Sequence, residues 1–578
     1  MKILSAAARP KLHNNACPLG CLLLALILAS PGGAPASAEQ PPSQYQPAIA
    51  GPSDEAEKAI ANFKVPEGLK MELYAAEPLL ANPVAFCFDA KGRCYVAETF
   101  RQGKGVEDNR GHMNWLDADL AAETVEDRLE YFKRFLGERL VEYTREHDRI
   151  RRLVDTDGDG VADQATVFAD GFNGPLDGTG AGVIVRGDDV YYACIPHVWL
   201  LRDTNEDGVA DVREILSSGY GVKVAFRGHD MHGFVFGPDG RLYYSIGDRG
   251  LNMKTREGKH LYLPNTGAVL RCEPDGSNLE IFAYGLRNPQ ELAFNDRGDL
   301  FTGENNSDSG DLARWVHLVE GGNSGWLMSY QYLPDRGPWN REKLWHPYHE
   351  GQPAYIVPPL ANLSDGPSGL AYYPGTGLSQ QYRDTFFLCD FRGSPGHSGV
   401  RTIRLKPSGV SYTVDHQGEF IWRILATDIE FGPRGGVYVS DWVDGWTGLG
   451  KGRIYRVFDP VASQTPEAQS VDRLLAEGMT NRSADELAGL IGHVDMRIRL
   501  AAQFELAARG EAAVPVLTKV LHESAEPLAR RHALWGLAQA TRQQKLTSPL
   551  PIIVAALDDR DEEIRAQAAN ALGDLRHQ

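Results

Sequence analysis

The chain has 578 residues, more than one ordinary core accommodates, so two or more domains are expected. Charged residues make up 24% and hydrophobic residues 42%, the balance of a soluble globular protein. A formal net charge of -18 argues against a nucleic-acid surface and against attraction to anionic lipid.

Residues 1–38 read as a secretory signal peptide. Lys2, Arg9 and Lys11 give a basic start, Leu22 to Leu28 an apolar run, and Ala36-Ser37-Ala38 a small-residue cleavage site. The mature protein is therefore expected outside the cytoplasm, in the periplasm or beyond it. Cys21 precedes the apolar run, which disfavours a lipoprotein anchor, and no later segment is apolar for long enough to span a membrane. Five cysteines remain after cleavage. Cys87 and Cys94 flank the turn Asp89-Ala90-Lys91-Gly92, where either a disulfide or two buried thiols fits. The absence of C-x-x-C-H leaves no c-type haem site.

Residues 39–64, rich in Pro, Gln, Ser and Ala, read as a disordered lead-in. From Val65 one pattern recurs: an apolar strand, a turn rich in Asp, Pro and Gly, then a strand ending in polar residues. It occurs at 84–98, 182–194, 233–248, 291–304, 369–390 and 428–441, which predicts a six-bladed β-propeller over 65–460. A β-sandwich is the plainer alternative. The stretch 117–152 has apolar residues at helical spacing, Leu120 to Tyr143, and reads as a helical insert on the rim or a lid. After Pro460 the texture turns to Ala, Leu, Arg and Glu. The segment from Arg499 recurs from Arg530 and Arg565, predicting a HEAT-like helical solenoid over 461–578 that offers a second protein-binding surface. The array stops at Gln578 without a polar capping repeat, as a short array or a piece of a longer one does.

Two acidic loops carry the most specific local signal. Asp155, Asp157, Asp159, Val161 and Asp163 occupy positions 1, 3, 5, 7 and 9 of a loop with Gly160 at 6. Asp203, Asn205, Asp207, Val209 and Asp211 repeat it, with Glu214 added at position 12 where the first loop has Thr166. That spacing wraps oxygen ligands around Ca²⁺, with the position-7 carbonyl contributing, and a structural role is expected.

A second constellation is Arg227 to Gly250, R-G-H-D-M-H-G-F-V-F-G-P-D-G-R-L-Y-Y-S-I-G-D-R-G. It is a hairpin with His229 and His232 at one end and Asp248 at the other, a mount suited to acid–base chemistry. Later come Y-G-L-R-N-P-Q from Tyr284, the acidic turn Glu304 to Asp311, and G-G-N-S-G-W from Gly321. Trp326 and Trp442 read as core or rim aromatics.

In these motifs, over roughly Gly68 to Val457, the sequence resembles the soluble quinoprotein glucose/sorbosone and aldose sugar dehydrogenases. With its HEAT-like tail it resembles large exported proteins labelled membrane-bound dehydrogenases. The resemblance implies a propeller binding pyrroloquinoline quinone (PQQ) and Ca²⁺ on its axis. It implies a sugar or related alcohol as substrate, and electrons leaving to an external acceptor such as a c-type cytochrome. Residue by residue, it implies His229 as general base and Asp248 as its orienting partner. Arg287 and Asn288 would contact the quinone, and Asn306 and Ser307 would offer carbonyls to the cofactor calcium. Asp311 would lie at the substrate end, and Arg392 on a quinone carboxylate. Three positions depart from the pattern: His232 replaces a small residue, Met253 an amide, and Asn306-Ser307 a Gly-Pro. Either histidine could then be the base. Two other readings stay open: a non-enzymatic scaffold binding carbohydrate or protein, and a metal-dependent hydrolase using His229, His232 and Asp248.

Overall fold

The structure is a computed structural model and describes residues 45–346, 349 and 356–576; the signal peptide assigned to 1–38 lies outside the described residues. Alternation of apolar and polar residues builds six four-stranded antiparallel sheets among them. Blade one spans 83–172, two 182–218, three 231–286, four 289–364, five 367–422 and six 426–458, the last completed by Lys70–Ala76. Lys70–Ala76 pairs antiparallel with Arg453–Phe458, so an early strand closes the ring and removes the open edge. The six hairpins read from sequence are the inner two strands of the six blades.

Each neighbouring pair of blades shares one hydrophobic cluster. Tyr192 and Phe172 lie between blades one and two, Tyr244 and Ile195 between two and three, Phe301 and Phe386 between four and five. Burying a large side chain there contributes roughly 1.5–3 kcal/mol, repeated around the ring. Cys87 and Cys94 are both buried free thiols. Cys87 packs toward blade two and Cys94 toward blade six, because the register sets Cys94 against Phe88 and turns the two to opposite faces. No disulfide joins them.

The lead-in differs from its disordered reading. Residues 45–64 carry helix α1 (Glu55–Ile60) and lie against the outer strands of blades five and six. Lys64 exchanges backbone hydrogen bonds with Trp422, and the Tyr455 hydroxyl donates to Ala56 O at 3.0 Å. Ile60, Phe63 and Val65 cover the cluster between those blades, an apolar signal that the surrounding Pro and Ser masked.

The insert forms helix α2 (Leu116–Ala121), helix α3 (Val125–Leu136) and a 3₁₀ run (Gly137–Thr144). A capping box between Thr124 and Asp127 starts α3. Helical structure ends before Asp148, where the third strand of blade one begins, earlier than residue 152.

Seven helices follow: α4 (Pro466–Glu477), α5 (Ala484–Leu490), α6 (Met496–Ala508), α7 (Val514–Glu523), α8 (Pro527–Gln544), α9 (Leu550–Ala555) and α10 (Glu562–Asp574). Two of the recurring arginines share a role, and each also pairs with a carboxylate. Arg499 and Arg530 are the fourth residues of α6 and α8 and donate back to carbonyls before their own helix, His493 and Val494 O for Arg499 and Leu521 O for Arg530. The side formed by α6, α8 and α10 rests on the propeller's turns. Gln503 donates to Pro238 O, Arg542 to Asp239 O and Gln567 to Arg297 O. That side of the solenoid is covered by its own chain. No helix among the described residues is long and apolar enough to cross a membrane.

Candidate active site

Antiparallel pairing of Met231–Phe236 with Leu242–Ile246 sets Met231 opposite Ile246. His229, two residues before the first strand, and Asp248, two after the second, therefore emerge at one end of blade three. The turn at 237–241 is the other end, about 20 Å away for a six-residue strand, and it is the end that the solenoid covers. His229 thus lies at the pole away from the solenoid, buried beneath loops of the propeller.

The rim of this pole is built by carboxylates at equivalent register. Glu98, Glu304 and Asp390 each end a second strand and accept backbone N–H groups of the loop entering their own blade. The donors are Ala81, then Arg287 and Asn288, then Asp365 and Gly366. Burial raises the Glu304 carboxyl despite the Arg314 guanidinium beside it. Blade three has Ile246 at this register instead, and its carboxylate, Asp248, stands two residues further on. Oδ1 of Asp248 lies 2.7 Å from His229 Nδ1, and Oδ2 accepts the Trp326 indole N–H at 2.8 Å. A Cβ on Gly247 would lie 2.7 Å from His229 O and 2.9 Å from Asn288 Oδ1, so the glycine permits this close approach.

Two sequence motifs meet here as one unit. Ser324 and Trp326 donate their backbone N–H groups to Tyr284 O and Gly285 O, laying the G-G-N-S-G-W strap along Y-G-L-R-N-P-Q. Arg287, fully buried, gives Nη2 to Asp308, Nη1 to Asn306 O and Nε to Gln331. Asn306 Nδ2 donates to Asp365, whose other oxygen lies 3.9 Å from Arg392 Nη1. The structure therefore gathers His229, Asp248, Arg287, Asn288, Asn306, Ser307 and Arg392 around one mouth.

Three residues sit there in other capacities than the sequence implied. His232 lies inside the blade with Nε2 on Gly228 O at 2.9 Å, and burial lowers its pKa, so it stays a neutral structural imidazole. Asp311 folds back onto Ser307, accepting from its backbone N–H and hydroxyl and closing the turn instead of facing a substrate. Arg392 forks onto its neighbour Asp390 at 3.2 and 2.8 Å. Among the described residues, acidic or histidine groups converge for a metal at Asp155, Asp157 and Asp159 and at Glu280, Glu320 and Asp574, and neither group includes His229 or His232. The second group is already threaded by Arg241 and Arg271.

Sequence reasoning missed Asp308, Gln331, Arg336, Phe226 and Tyr332. Phe226 packs against the His229 ring and Tyr332 against Phe226, with Tyr332 accepting from Asn109 Nδ2 at 2.8 Å. The G-G-N-S-G-W motif was the one available signal for Trp326: it is a core aromatic, as read, and also a donor to Asp248.

The mouth fits an anionic ligand. Asn288 Oδ1 is buried without a partner. Arg336 meets three carbonyls and no carboxylate within 4 Å among the described residues, and burial and the neighbouring Arg287 guanidinium lower its pKa. The Arg336 cation suits a carboxylate of PQQ, and the free Asn288 oxygen suits a hydrogen-bond donor on the ligand. A calcium ion at Asn306-Ser307 fits poorly: Asn306 O accepts Arg287 Nη1 at 2.5 Å and Ser307 O accepts Arg336 Nε at 2.8 Å.

The two acidic loops occupy the same place in adjacent blades, the turn between third and fourth strands. In the first, Asp155 accepts from Gly158 and Gly160 N–H, and its carboxylate converges with Asp157 and Asp159. In the second, Asp203 accepts from Gly208 N–H and also lies 3.4 Å from Arg152, while Glu214 is 3.9 Å from Arg202.

Fold and site together define a six-bladed propeller with an axial His–Asp pair, backed by a HEAT-type solenoid. The chain belongs to the family described as a domain of unknown function (DUF7133), whose model matches residues 55–447; a HEAT-repeat model matches 514–578. Quinoprotein glucose dehydrogenase B of Acinetobacter calcoaceticus is 33% identical over 139 residues, 19% of this chain and 28% of that protein. The match thus spans less than a third of that relative. Solved structures that resemble this one include the PQQ-bound form of an aldose sugar dehydrogenase from Streptomyces coelicolor (16% identity, 68% of this chain and 100% of that one, TM-score 0.39). Another is the apo form of the soluble Escherichia coli aldose sugar dehydrogenase (16% identity, 67% and 99%, TM-score 0.40).

Proposed function

We propose that this protein is an exported oxidoreductase of the quinoprotein sugar dehydrogenase type, oxidising a sugar or related alcohol and passing electrons to an external acceptor. The observation that carries this is the Trp326–Asp248–His229 relay at the pole away from the solenoid. Asp248, held by the indole, accepts the proton on Nδ1 of His229 and so leaves Nε2 with its lone pair. A neutral imidazole in that tautomer takes a hydroxyl proton from the substrate carbon being oxidised. The positive imidazolium that results is stabilised by the adjacent carboxylate. Phe226, itself backed by Tyr332, packs on the nearly buried ring and limits bulk water there. Arg336, with the buried Arg287 behind it, would hold an anionic group of PQQ, and Asn288 Oδ1 would accept from a donor on it; PQQ when bound would accept the hydride. Asp155, Asp157 and Asp159 form a structural calcium site away from this chemistry.

The test is reconstitution of purified protein with PQQ, followed by dye reduction across a panel of aldoses and polyols. Turnover is expected with at least one, and His229→Gln should lower it by about 10² to 10⁴. If no quinone absorbance develops and no sugar is oxidised, the reading is wrong.

A further inference from the structure

We propose that the Arg336 guanidinium, not a calcium ion, is the cation at the Asn306-Ser307 turn, and that the anionic acceptor is held there without calcium. This rests on the quinone-dependent reading above and departs from what the sequence resemblance implies about the metal.

Three observations converge on Arg336. First, its Nε lies 2.8 Å from Ser307 O, while Nη1 reaches Gln331 O at 2.7 Å and Nη2 Asp308 O at 3.4 Å. A planar fork with several donors thereby occupies carbonyl lone pairs of the kind a hard cation would take. Secondly, Asn306 O is taken by Arg287, so a divalent ion at this turn would face two guanidinium groups at close range. Thirdly, the backbone is bent to deliver the side chain. Asp335 and Arg336 have φ of 50° and 59°, left-handed values that side-chain-bearing residues seldom adopt, and Gly337 follows at 55°. Two successive left-handed residues persist only where their surroundings hold them, and here they aim Arg336 at the turn.

The charge then does double work. Arg287 is neutralised by Asp308, Arg110 by Asp108 and Arg392 by Asp390, each within 2.8 Å. Arg336 makes no such pair among the described residues and is partly exposed, so its charge is open to an anionic ligand, with Asp308 and Asp311 only at longer range. A carboxylate or an ortho-quinone oxygen placed over the turn would receive from the guanidinium what a bridging metal would otherwise supply. Calcium is left to the loop at Asp155, Asp157 and Asp159, where it acts on stability alone.

The test is a titration of the full-length protein with PQQ in excess EDTA and in excess calcium chloride, followed by tryptophan fluorescence and quinone absorbance. Melting is recorded in both buffers, because stripping the 155–163 loop lowers stability without touching the mouth. Calcium per chain is counted before and after PQQ loading. The expected result is binding within about twofold in the two buffers, with no calcium gained on loading. Arg336→Gln should weaken binding about ten- to a hundred-fold, the worth of lost charge-assisted bonds. Arg336→Lys, which keeps the charge, should recover part of it. Binding abolished by EDTA and restored by calcium, with one more calcium per loaded chain, would overturn this inference and leave the quinone reading standing. Wild-type binding by Arg336→Gln would do the same. Absence of PQQ binding in both buffers would overturn the quinone reading and this inference together.

Discussion

Nδ1 of His229 lies 2.7 Å from Oδ1 of Asp248, while the other oxygen of that carboxylate accepts the Trp326 indole at 2.8 Å. Both oxygens are thus committed, and the imidazole is left one tautomer. Asp248→Asn offers an amide that can present N–H to Nδ1 and favour the opposite tautomer. We expect kcat to fall about 10²- to 10⁴-fold with a small change in KM, because the loss is of proton transfer and not of binding. Trp326→Phe keeps the ring and removes the donor, and a fall of about tenfold is expected from one lost hydrogen bond to a charged acceptor. Steady-state kinetics of the two variants side by side separate these. Equal effects would mean that packing, not orientation, is what the tryptophan supplies.

How much of this was legible in the sequence differs from part to part. The blades were, because each inner hairpin keeps a Gly-centred turn between two apolar strands, as at Phe236-Gly-Pro-Asp-Gly and Phe431-Gly-Pro-Arg-Gly. His229, Asp248 and Arg287 were, because fixed offsets from a strand end determine which side chains reach the pole. Which histidine is available was not: His229 and His232 differ by three residues, and only the register that buries His232 against Gly228 O separates them. Arg336 was invisible, since its position depends on two left-handed residues in a loop with no periodicity. The ordered stretch 45–64 was hidden by composition, although Ile60, Phe63 and Val65 supply the apolar face that docks it.

The paired acidic loops should differ in calcium affinity, in the order opposite to that suggested by Glu214. The first loop gathers three carboxylates, whereas Asp203 of the second leans on Arg152 and Glu214 on Arg202. Calorimetric titration is expected to show the stronger site lost in Asp157→Ala and the weaker lost in Asp207→Ala. EDTA should lower the Tm of wild type, and lower that of Asp157→Ala by less, since a ligand stabilises only the state that binds it. Indistinguishable Tm shifts would place the ion elsewhere.

Arg499 joins the repeat pattern to the docking of the solenoid. Its guanidinium is fully buried, binds His493 O and Val494 O at 2.8 Å, and pairs with Asp296 of the propeller. Arg499→Met would leave Asp296 and two carbonyls without their cation, a loss of about 1.5–3 kcal/mol since Asp296 keeps access to water. Limited proteolysis between 459 and 465 should then release the helical segment, while the His229 mouth at the opposite pole retains its chemistry. Retention of a protease-resistant chain would mean that Gln503, Arg531 and Arg542 hold the docking without it.

Toward the solenoid-covered end, the propeller's inner strands carry three carboxylates whose proton affinities point to a stability that falls as pH rises. Asp428 and Glu430 lie on the first strand of blade six and Glu291 on that of blade four. Burial pushes Glu430 up to about 8, with Asp428 adding to it, and Asp428 itself up to about 6. Glu291 is raised in the same direction by burial and by both neighbours. The folded state therefore holds protons that the unfolded chain releases near the ordinary glutamate value of 4.5. With more protons bound folded than unfolded, stability declines between about pH 4.5 and 8 and is level with respect to Glu430 above that. For Glu430 alone the decline is on the order of 5 kcal/mol, from its shift at 1.36 kcal/mol per pH unit. Glu430→Gln keeps the shape and removes the charge, so its Tm should match wild type near pH 5 and exceed it near pH 8. The difference between the two melting curves, followed across that window, isolates this group from every other titration. A difference that does not change with pH would mean that Glu430 is ionised in the folded protein, with water or the Arg497 guanidinium compensating it at the axis.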